Sequence, residues 1–187
     1  ATANAEVAVT DALPVISVTK TPSPTSVAET APGQTRPVDY LVTIQNDSAE
    51  PVTIDSIVDA VEGGAPAAVG GTCAALIGTT LAAQAGTSCT FTMGVAGNAG
   101  DTVDDIVTVG ASDDDGNDTT DADGASVTIT GLASSINVTK TASVGSVPEP
   151  GANVTYTVGV TNTSVADAVT IGAVTDSVEG GPAVNAG

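Results

Sequence analysis

The sequence predicts an all-β fold in which antiparallel strands pack as a two-sheet sandwich. The 187 residues are 41% hydrophobic but only 2% aromatic, and the apolar residues are mostly small or β-branched, a composition that favours strands. Apolar and polar residues alternate in many short segments, which is the pattern of a strand with one buried face. Clusters of Pro, Gly, Asn and Asp separate those segments, as turns do in such a sandwich.

Six alternating segments justify the individual strands, and they predict six or seven strands within about 115 residues. No segment keeps a helical period for the roughly 11 residues of an average helix. Ala74–Gln84 is ambiguous, because its glycine and paired threonines favour a loop while a brief helical turn is the alternative. In order along the chain, the six segments are Val15–Thr21, Tyr40–Asn46, Val52–Val58, Cys89–Val95, Asp104–Ser112 and Ala125–Gly131.

The charge of the chain excludes two classes of partner. The formal net charge is −19, and the basic residues are Lys20, Arg36 and Lys140. Nucleic acids are poor partners, because a phosphate-binding surface needs clustered lysine or arginine. Attachment to an anionic membrane surface is disfavoured for the same reason. No apolar run reaches the roughly 18 residues of a membrane span, so we expect no direct membrane insertion.

Long stretches of the sequence occur twice, in the same order. The first copy carries a short insertion around Pro32–Pro37. Self-similarity with a period of 120 residues indicates a tandem array. The matching pairs are Ile16–Thr21 with Ile136–Thr141, Val38–Ser48 with Val154–Ser164, and Val52–Gly64 with Val169–Gly181.

The repeat predicts three segments. We interpret residues 1–15 as the terminal strand of a preceding repeat, 16–132 as one complete repeat, and 133–187 as the first half of the next. The chain is then a window of a longer repetitive protein. Exchange of the terminal strand between copies is less favoured, because the two ends together lack the equivalent of Gly71–Thr120.

The VTKT that opens each copy and four further motifs carry a resemblance. The motifs are Ser146–Ser164, Asp176–Gly181, the pair Cys73 and Cys89, and Gly97–Asn117. Together they resemble the immunoglobulin-like tandem repeats of large prokaryotic cell-surface proteins, over essentially the whole chain. The resemblance implies tandem immunoglobulin-like antiparallel β-sandwiches with about seven strands per complete module. It also implies a secreted protein at the cell surface.

Cys73 and Cys89 lie in the same repeat with 15 residues between them. In a secreted chain, an even number of cysteines favours a disulfide. Closing a loop of this length stabilises a fold by about 3 kcal/mol in the chain-entropy model. A zinc site or a catalytic thiol would need further ligands or a base, and the chain has no histidine.

The loop DDDGND lies between two predicted strands and brings carboxylates together at one end of the sandwich. It holds Asp113, Asp114, Asp115, Asn117 and Asp118. Their repulsion must be offset by water or by a cation, and Ca²⁺ prefers such oxygen ligands. The loop does not match an EF-hand, so the indication is compositional. The alternative is a solvated acidic turn that keeps the chain soluble.

The corner that contains Asp59 and Glu62 can supply further carboxylates. It can approach the acidic loop of a neighbouring module, or it can share a pole with the loop of its own module. We therefore predict candidate Ca²⁺ ligands at Asp113, Asp115, Asn117, Asp118, Asp59 and Glu62.

Five N-x-S/T sequons are candidate glycosylation sites. Sequences rich in threonine and serine also produce this motif by chance. Asn46 and Asn162 occupy equivalent positions after a strand, so a role in the turn explains them equally well. The five residues are Asn46, Asn117, Asn137, Asn153 and Asn162.

The sequence argues against an enzyme. Histidine, the commonest general base, is absent, and the lysines sit at repeated strand positions. A glycosidase cleft would need aromatic platforms beside its carboxylates. The chain offers only Tyr40, Phe91 and Tyr156, and the two tyrosines are repeat-equivalent residues that suit core packing.

Two functions remain. The first is a structural extracellular repeat that builds an elongated surface stalk or filament, stiffened by the disulfide and by Ca²⁺, with neighbouring repeats or other copies as partners. The second is an adhesin arm that binds a glycan or a protein of another cell. The insertion Thr30–Arg36 departs from the repeat, so Gln34 and Arg36 are candidates for a contact loop; a tolerated insertion is the alternative.

Overall fold

The computed structural model describes residues 3–179 and 181–185. The chain divides into two compact units, Ala1–Gly131 and Leu132–Gly187, which we call unit 1 and unit 2. Within the described residues, no helix has the length and apolar character that crossing a membrane takes.

Strands make up nearly all of the regular secondary structure in the described part of unit 1. A single-turn 3₁₀ helix at Cys73–Leu76 interrupts them and overlaps the start of Ala74–Gln84, the segment that the sequence left ambiguous. The strands are β1 (Ile16–Ser23), β2 (Ser26–Ala28), β3 (Arg36–Asn46), β4 (Val52–Val61), β5 (Ala67–Ala68), β6 (Thr80–Leu81), β7 (Gly86–Val95), β8 (Thr102–Ser112) and β9 (Asp118–Thr130).

Two sheets build unit 1. The smaller sheet has the order β1-β3-β7 and is antiparallel throughout. The larger sheet has the order β2-β9-β8-β4-β5, with β6 also paired to β4. Only the short β2 runs parallel to its neighbour β9 among the described strands. The prediction of an all-β, antiparallel sandwich is confirmed.

The core lies between the two sheets, and every second residue of a strand points into it. Val38, Tyr40, Val42 and Ile44 of β3 are fully buried, and the residues between them face outward. Strands β4, β8 and β9 supply the opposing face with valine and isoleucine side chains. Small and β-branched side chains thus fill the interior, with Tyr40 and Phe91 as its aromatic members.

A β-bulge in β4 changes which side chains face the core. The register with β8 shifts between Ile54 and Ser56. As a result both Ile54 and Ile57 are buried, although they are three residues apart. The strict alternation resumes after the bulge and turns Asp59 inward.

Unit 2 repeats the first strand pair of unit 1. Strand β10 pairs with β11 so that Ile136 faces Asn162, as Ile16 faces Asn46 in unit 1. A second, two-residue pair joins β12 to β13. The strands are β10 (Ile136–Ala142), β11 (Tyr156–Asn162), β12 (Thr175–Asp176) and β13 (Val184–Asn185).

Residues 3–15 form no strand, and residues 1–2 lie outside the described residues. A terminal strand of a preceding repeat would have its partners in that repeat, so the assignment of residues 1–15 stays a prediction. The end of the segment is nevertheless fixed to unit 1, because the Ser48 hydroxyl accepts a hydrogen bond from the Val15 amide at 2.7 Å.

Candidate functional site

One end of unit 1 collects five carboxylates, which we call the acidic pole: Asp11, Glu50, Asp113, Asp114 and Asp115. The β8–β9 hairpin loop presents the last three. Carboxylate oxygens of Asp11, Glu50 and Asp113 lie within 4.8 Å of one another, and so do those of Glu50, Asp114 and Asp115. Crowded oxygen ligands of this kind can hold a metal ion.

Asp113 organises the loop of the acidic pole. Its Oδ1 accepts hydrogen bonds from the backbone amides of Asn117 at 2.8 Å and Asp115 at 3.1 Å. Its Oδ2 accepts one from Asn117 Nδ2 at 2.9 Å. The bond from the Asn117 side chain, followed by those from the backbone, holds the pKa of Asp113 below its ordinary value. Asp113 is therefore a charged turn residue in the folded protein.

Glu50 and Asp115 are in the opposite situation. Burial raises the pKa of Glu50, and the charges of Asp11, Asp113 and the other pole carboxylates add to the shift. Repulsion from Asp11 and then from Asp114 raises the pKa of Asp115. The Oε1 atom of Glu50 is buried and has no hydrogen-bond partner in the described part of the chain. The pole thus carries electrostatic strain that a bound cation would relieve.

Three of the predicted loop ligands lie at the acidic pole or beside it. Asp113 and Asp115 belong to the pole, and Asn117 donates its Nδ2 to Asp11 at 2.7 Å as well as to Asp113. Asp118 is the first residue of β9 and is exposed, and it belongs to neither carboxylate group. Sequence reasoning missed Asp11 and Glu50, because the turn after β3 and the segment before β1 reach the pole only through the fold.

The two predicted corner ligands lie elsewhere. Strand β4 pairs with β8 so that Thr53 faces Ser112 beside the acidic loop, while Val61 faces Asp105 at the far end. Asp59 and Glu62 are therefore at the opposite end of β4 from the pole. The alternative in which corner and loop share a pole within one module is wrong for this reason, and the approach between modules stays a prediction.

Glu62 braces the corner instead. Its Oε1 accepts a hydrogen bond from the Asp104 amide at 2.6 Å, and its own amide donates to the Asp104 carbonyl at 2.8 Å. Glu62 adopts a left-handed backbone with φ of 50°, and Gly63 follows with φ of 68°. The EGG sequence is thus a tight turn at the end of β4.

A buried lysine forms a second constellation, which we call the lysine cluster: Lys20 of β1, Asp59 of β4 and Asp105 of β8. Lys20 Nζ donates a hydrogen bond to Asp59 Oδ1 at 2.5 Å and pairs with Asp105 Oδ1. The side chains of Lys20 and Asp105 have no exposed surface, and that of Asp59 is 5% exposed. The cluster ties the two sheets together through the core.

Aromatic rings wall the amine of the lysine cluster. Lys20 Nζ lies 4.4 Å from the ring centroid of Tyr40 and 5.2 Å from that of Phe91, and the two rings stack at 5.3 Å. Burial lowers the pKa of Lys20, against the opposing hydrogen bond and charge of Asp59. Burial also raises the pKa of Tyr40, and the charge of Asp59 adds to that shift. The site is buried and favours uncharged forms.

Two aspartates of β9, outside the acidic pole, fasten β1 to β9. Asp121 Oδ2 accepts a hydrogen bond from the Val18 amide, and Asp123 Oδ2 accepts one from the Lys20 amide, each at 2.7 Å. Both side chains point inward along β9 and are partly buried. They hold the strand that carries Lys20 against the opposite sheet.

Unit 2 has a lysine, a tyrosine and an aspartate at the positions equivalent to Lys20, Tyr40 and Asp59. Lys140 Nζ donates to Asp176 Oδ1 at 2.6 Å and lies 4.4 Å from the ring centroid of Tyr156. This hydrogen bond lowers the pKa of Asp176. The pair is about a third exposed, unlike its counterpart in unit 1.

Sequence reasoning missed the lysine cluster, although a signal was present. Lys20 follows Ile16 and Val18 at a spacing of two, so the alternation of β1 points it into the core. The only two lysines of the chain occupy this same repeat position. A lysine at an inward strand position calls for a buried partner.

The predicted disulfide between Cys73 and Cys89 is confirmed. It fastens the 3₁₀ helix to β7, and both cysteines are buried. The closed loop contains few large apolar side chains of the core. The covalent link therefore supplies order that packing alone does not give this segment.

The sequons differ in what their side chains do. Asn46 is fully buried, and its Nδ2 donates to the carbonyls of Glu50, Leu81 and Ala82. A glycan on this nitrogen is incompatible with the folded unit, so Asn46 is a turn residue and the glycosylation hypothesis is wrong here. Asn162 bonds to Asp167 in an equivalent turn.

The other sequons are less constrained. Asn117 uses its Nδ2 within the acidic pole, as described above. Asn137 and Asn153 are exposed, and their glycosylation stays a prediction.

The predicted contact loop is a turn at the start of β3. The Gln34 amide donates to the Ala31 carbonyl at 3.0 Å, and the Thr30 hydroxyl donates to the Gln34 carbonyl at 2.8 Å. Arg36 Nε donates to the Ala28 carbonyl at 3.2 Å. Arg36 thus has a backbone partner within its own unit, and a role in binding stays a prediction.

Comparison with known proteins finds similar folds among solved structures. No family model matches the chain, and no curated protein does. Among solved structures, it is similar to the crystal structure of the CARDB domain of the PF1109 protein from Pyrococcus furiosus, determined in complex with di-metal ions. The two are 12% identical, with a TM-score of 0.41, and the match covers 66% of this chain and all of that domain.

Proposed function

We propose that the chain belongs to an extracellular array of immunoglobulin-like modules that builds a surface stalk or filament. One observation carries the proposal: unit 2 repeats the strand register of unit 1 together with its lysine, tyrosine and aspartate. A module that recurs with the same strand pairing and the same lysine–aspartate pair suits a part that contributes length and stiffness. Its partners are the neighbouring modules.

The disulfide and the net charge support an extracellular location for the array. The disulfide is stable in oxidising compartments and is rare in reducing ones. A net charge of −19 keeps repeated modules soluble and apart. The sequence resemblance to prokaryotic cell-surface repeats points in the same direction.

The acidic pole is the proposed Ca²⁺ site of the module. Asp11, Glu50 and Asp113 supply one oxygen each, and Asp114 and Asp115 lie close enough to complete the ligand set. These residues come from three separate segments, so a bound ion would join the segment before β1, the β3–β4 turn and the β8–β9 loop. Ca²⁺ would thereby stiffen the end of the module.

Electron microscopy tests the proposed array. Native surface material that contains the chain is imaged with Ca²⁺ and after EDTA, and we expect regular stalks or filaments that soften or come apart when Ca²⁺ is removed. Monodisperse globular particles under both conditions would contradict the array.

Thermal melting tests the Ca²⁺ site separately. We expect Ca²⁺ to raise the Tm of the purified chain, because it relieves the repulsion at the acidic pole. The Asp115→Asn variant should respond less than the wild type, and Asp118→Asn is the matched control because Asp118 lies outside the carboxylate groups. Equal melting in Ca²⁺ and in EDTA would contradict the Ca²⁺ site and leave the array to be judged by microscopy.

A further inference from the structure

The lysine cluster holds the two reactants of an amide bond in contact. The Lys20 amine touches the Asp105 carboxylate, and neither side chain has any exposed surface. Holding two reactants in a fixed geometry can replace a very high concentration of one of them. Because neither side chain reaches the surface, bulk solvent, which would otherwise favour hydrolysis, is kept away from the pair.

The surroundings favour the reactive charge states. An amine attacks a carboxyl carbon only when the amine is neutral, and a carboxyl group loses hydroxide readily only when it is protonated. Burial lowers the pKa of Lys20, because its side chain has no exposed surface at which solvent could stabilise the charge. Transfer of the ammonium proton to a carboxylate then produces the reactive pair.

The two aspartates differ in access to solvent, which separates their roles. Asp59 lines a cleft of about 360 Å³ between β5 and β7, together with Phe91 and Met93. Lys20 and Asp105 do not line it. Asp59 can therefore exchange protons with water, whereas Asp105 is sealed and meets only the amine: neither of its oxygens has a hydrogen-bond partner in the described residues beyond the pairing with Lys20.

From this geometry we infer that Lys20 and Asp105 form an intramolecular amide bond, with Asp59 as the proton relay. The Lys20 Nζ lone pair attacks Asp105 Cγ and forms the N–C bond. Asp59 takes a proton from Nζ and delivers a proton to the departing hydroxyl oxygen of Asp105. The C–O bond breaks and one water leaves, so amine and acid become amide and water with no change of oxidation state.

The resulting link joins the first strand of one sheet to β8 in the middle of the other. It would act once per module, as a self-modification that needs no further reactant. Unit 2 shows the same lysine, tyrosine and relay aspartate, which fits a device that belongs to the repeat. The inference does not rest on the proposed function, because the bond is measured on the chain itself.

Mass spectrometry of the purified, disulfide-reduced chain tests the bond. We expect an intact mass below the sequence mass by one water. Digestion of the denatured chain with trypsin locates the amide bond. Pro37 blocks cleavage after Arg36, so trypsin can cut only after Lys20 and Lys140. We expect cleavage after Lys140 and none after Lys20, and a fragment in which Lys20 and Asp105 are joined.

Variants assign the roles. Asp105→Ala and Lys20→Ala should have the full sequence mass, and in Asp105→Ala trypsin should cut after Lys20. Asp59→Ala should form the bond roughly 10²–10⁴-fold more slowly, as loss of a general base does. Lys140→Ala is the matched control and should keep the deficit of one water, because its lysine is the exposed counterpart in unit 2.

Three results would overturn the inference. A wild-type chain of full mass that trypsin cuts after Lys20 would leave the cluster as an ion pair alone. A water deficit that persists in Asp105→Ala would move the bond elsewhere. An unchanged rate in Asp59→Ala would remove the relay. The wild-type peptide map decides the first point even if a variant fails to fold.

Discussion

At the scale of single residues, unit 1 concentrates charge where it has a defined partner. Lys20 lies in the core against two carboxylates, and Asp113 accepts three hydrogen bonds in its own turn. Asp121 and Asp123 accept hydrogen bonds from backbone amides of β1. Glu50 is the exception, because its charge is opposed by its neighbours and by burial. The acidic residues of unit 1 therefore have different tasks.

Replacing Lys20 with methionine should destabilise unit 1. The substitution keeps the length of the side chain but leaves Asp59 and Asp105 without their cation in a dry core. Removing one partner of a buried ion pair costs about 3–5 kcal/mol; in the amide-linked form the same substitution removes the covalent link instead. Urea denaturation measures the change. Lys140→Met, in the exposed pair of unit 2, should change the free energy of unfolding much less, and equal effects would contradict the central role of Lys20.

Replacing Glu50 with glutamine should have opposite effects with and without Ca²⁺. A folded-state pKa above the ordinary value means that ionised Glu50 opposes folding, and this penalty disappears as the pH falls through the raised pKa. In EDTA at neutral pH, Glu50→Gln should therefore melt at a higher temperature than the wild type. In Ca²⁺ it should lose most of the stabilisation by the ion. A lower Tm in EDTA would show that the charge is not strained.

At the scale of elements, the long strands of unit 1 are built by alternation, and the positions of the functional side chains depend on where the alternation changes. The bulge between Ile54 and Ser56 re-aims the second half of β4, so that Asp59 meets Lys20. The β8–β9 hairpin forms the acidic loop around Asp113. The bulge and the hairpin loop thus position the charged side chains, while the regular parts of the strands form the core.

Removing the disulfide should loosen one element. Replacing both Cys73 and Cys89 with alanine should lower the free energy of unfolding by about 3 kcal/mol, because a loop of this length regains its freedom in the unfolded chain. Denaturation of the double variant in the absence of reductant measures the loss. Hydrogen exchange should show increased opening of the 3₁₀ helix before the rest of the unit. Stability equal to that of the wild type would contradict a bracing role.

At the scale of the whole molecule, the fold could be predicted from the sequence because its information is local. Alternation located the six long strands of unit 1, and the repeat matched Ile16–Thr21 to the corresponding strand of unit 2. The short β2, β5 and β6 could not be found, because two or three residues carry no period. Their pairing is decided by neighbouring strands.

The sites were less predictable, because they depend on contacts between distant segments. The acidic loop was visible as composition, but Glu50 joins it only because β3 and β4 turn back at that end. The lysine cluster draws on three strands, and the bulge in β4 is what aligns Asp59 with Lys20. The alternation of buried and exposed residues along β1 predicts that Lys20 faces inward, but only the folded structure identifies its partners.

Stretching the disulfide-reduced chain from its two ends in a force spectrometer tests the covalently braced structural module most directly. An amide between Lys20 and Asp105 keeps the intervening residues from extending, so wild-type unit 1 should release a contour length roughly 290 Å shorter than Lys20→Ala, at ~3.4 Å per residue. Equal contour lengths released by the wild type and Lys20→Ala would contradict the covalent bracing of the module, because the whole of unit 1 would then extend on unfolding.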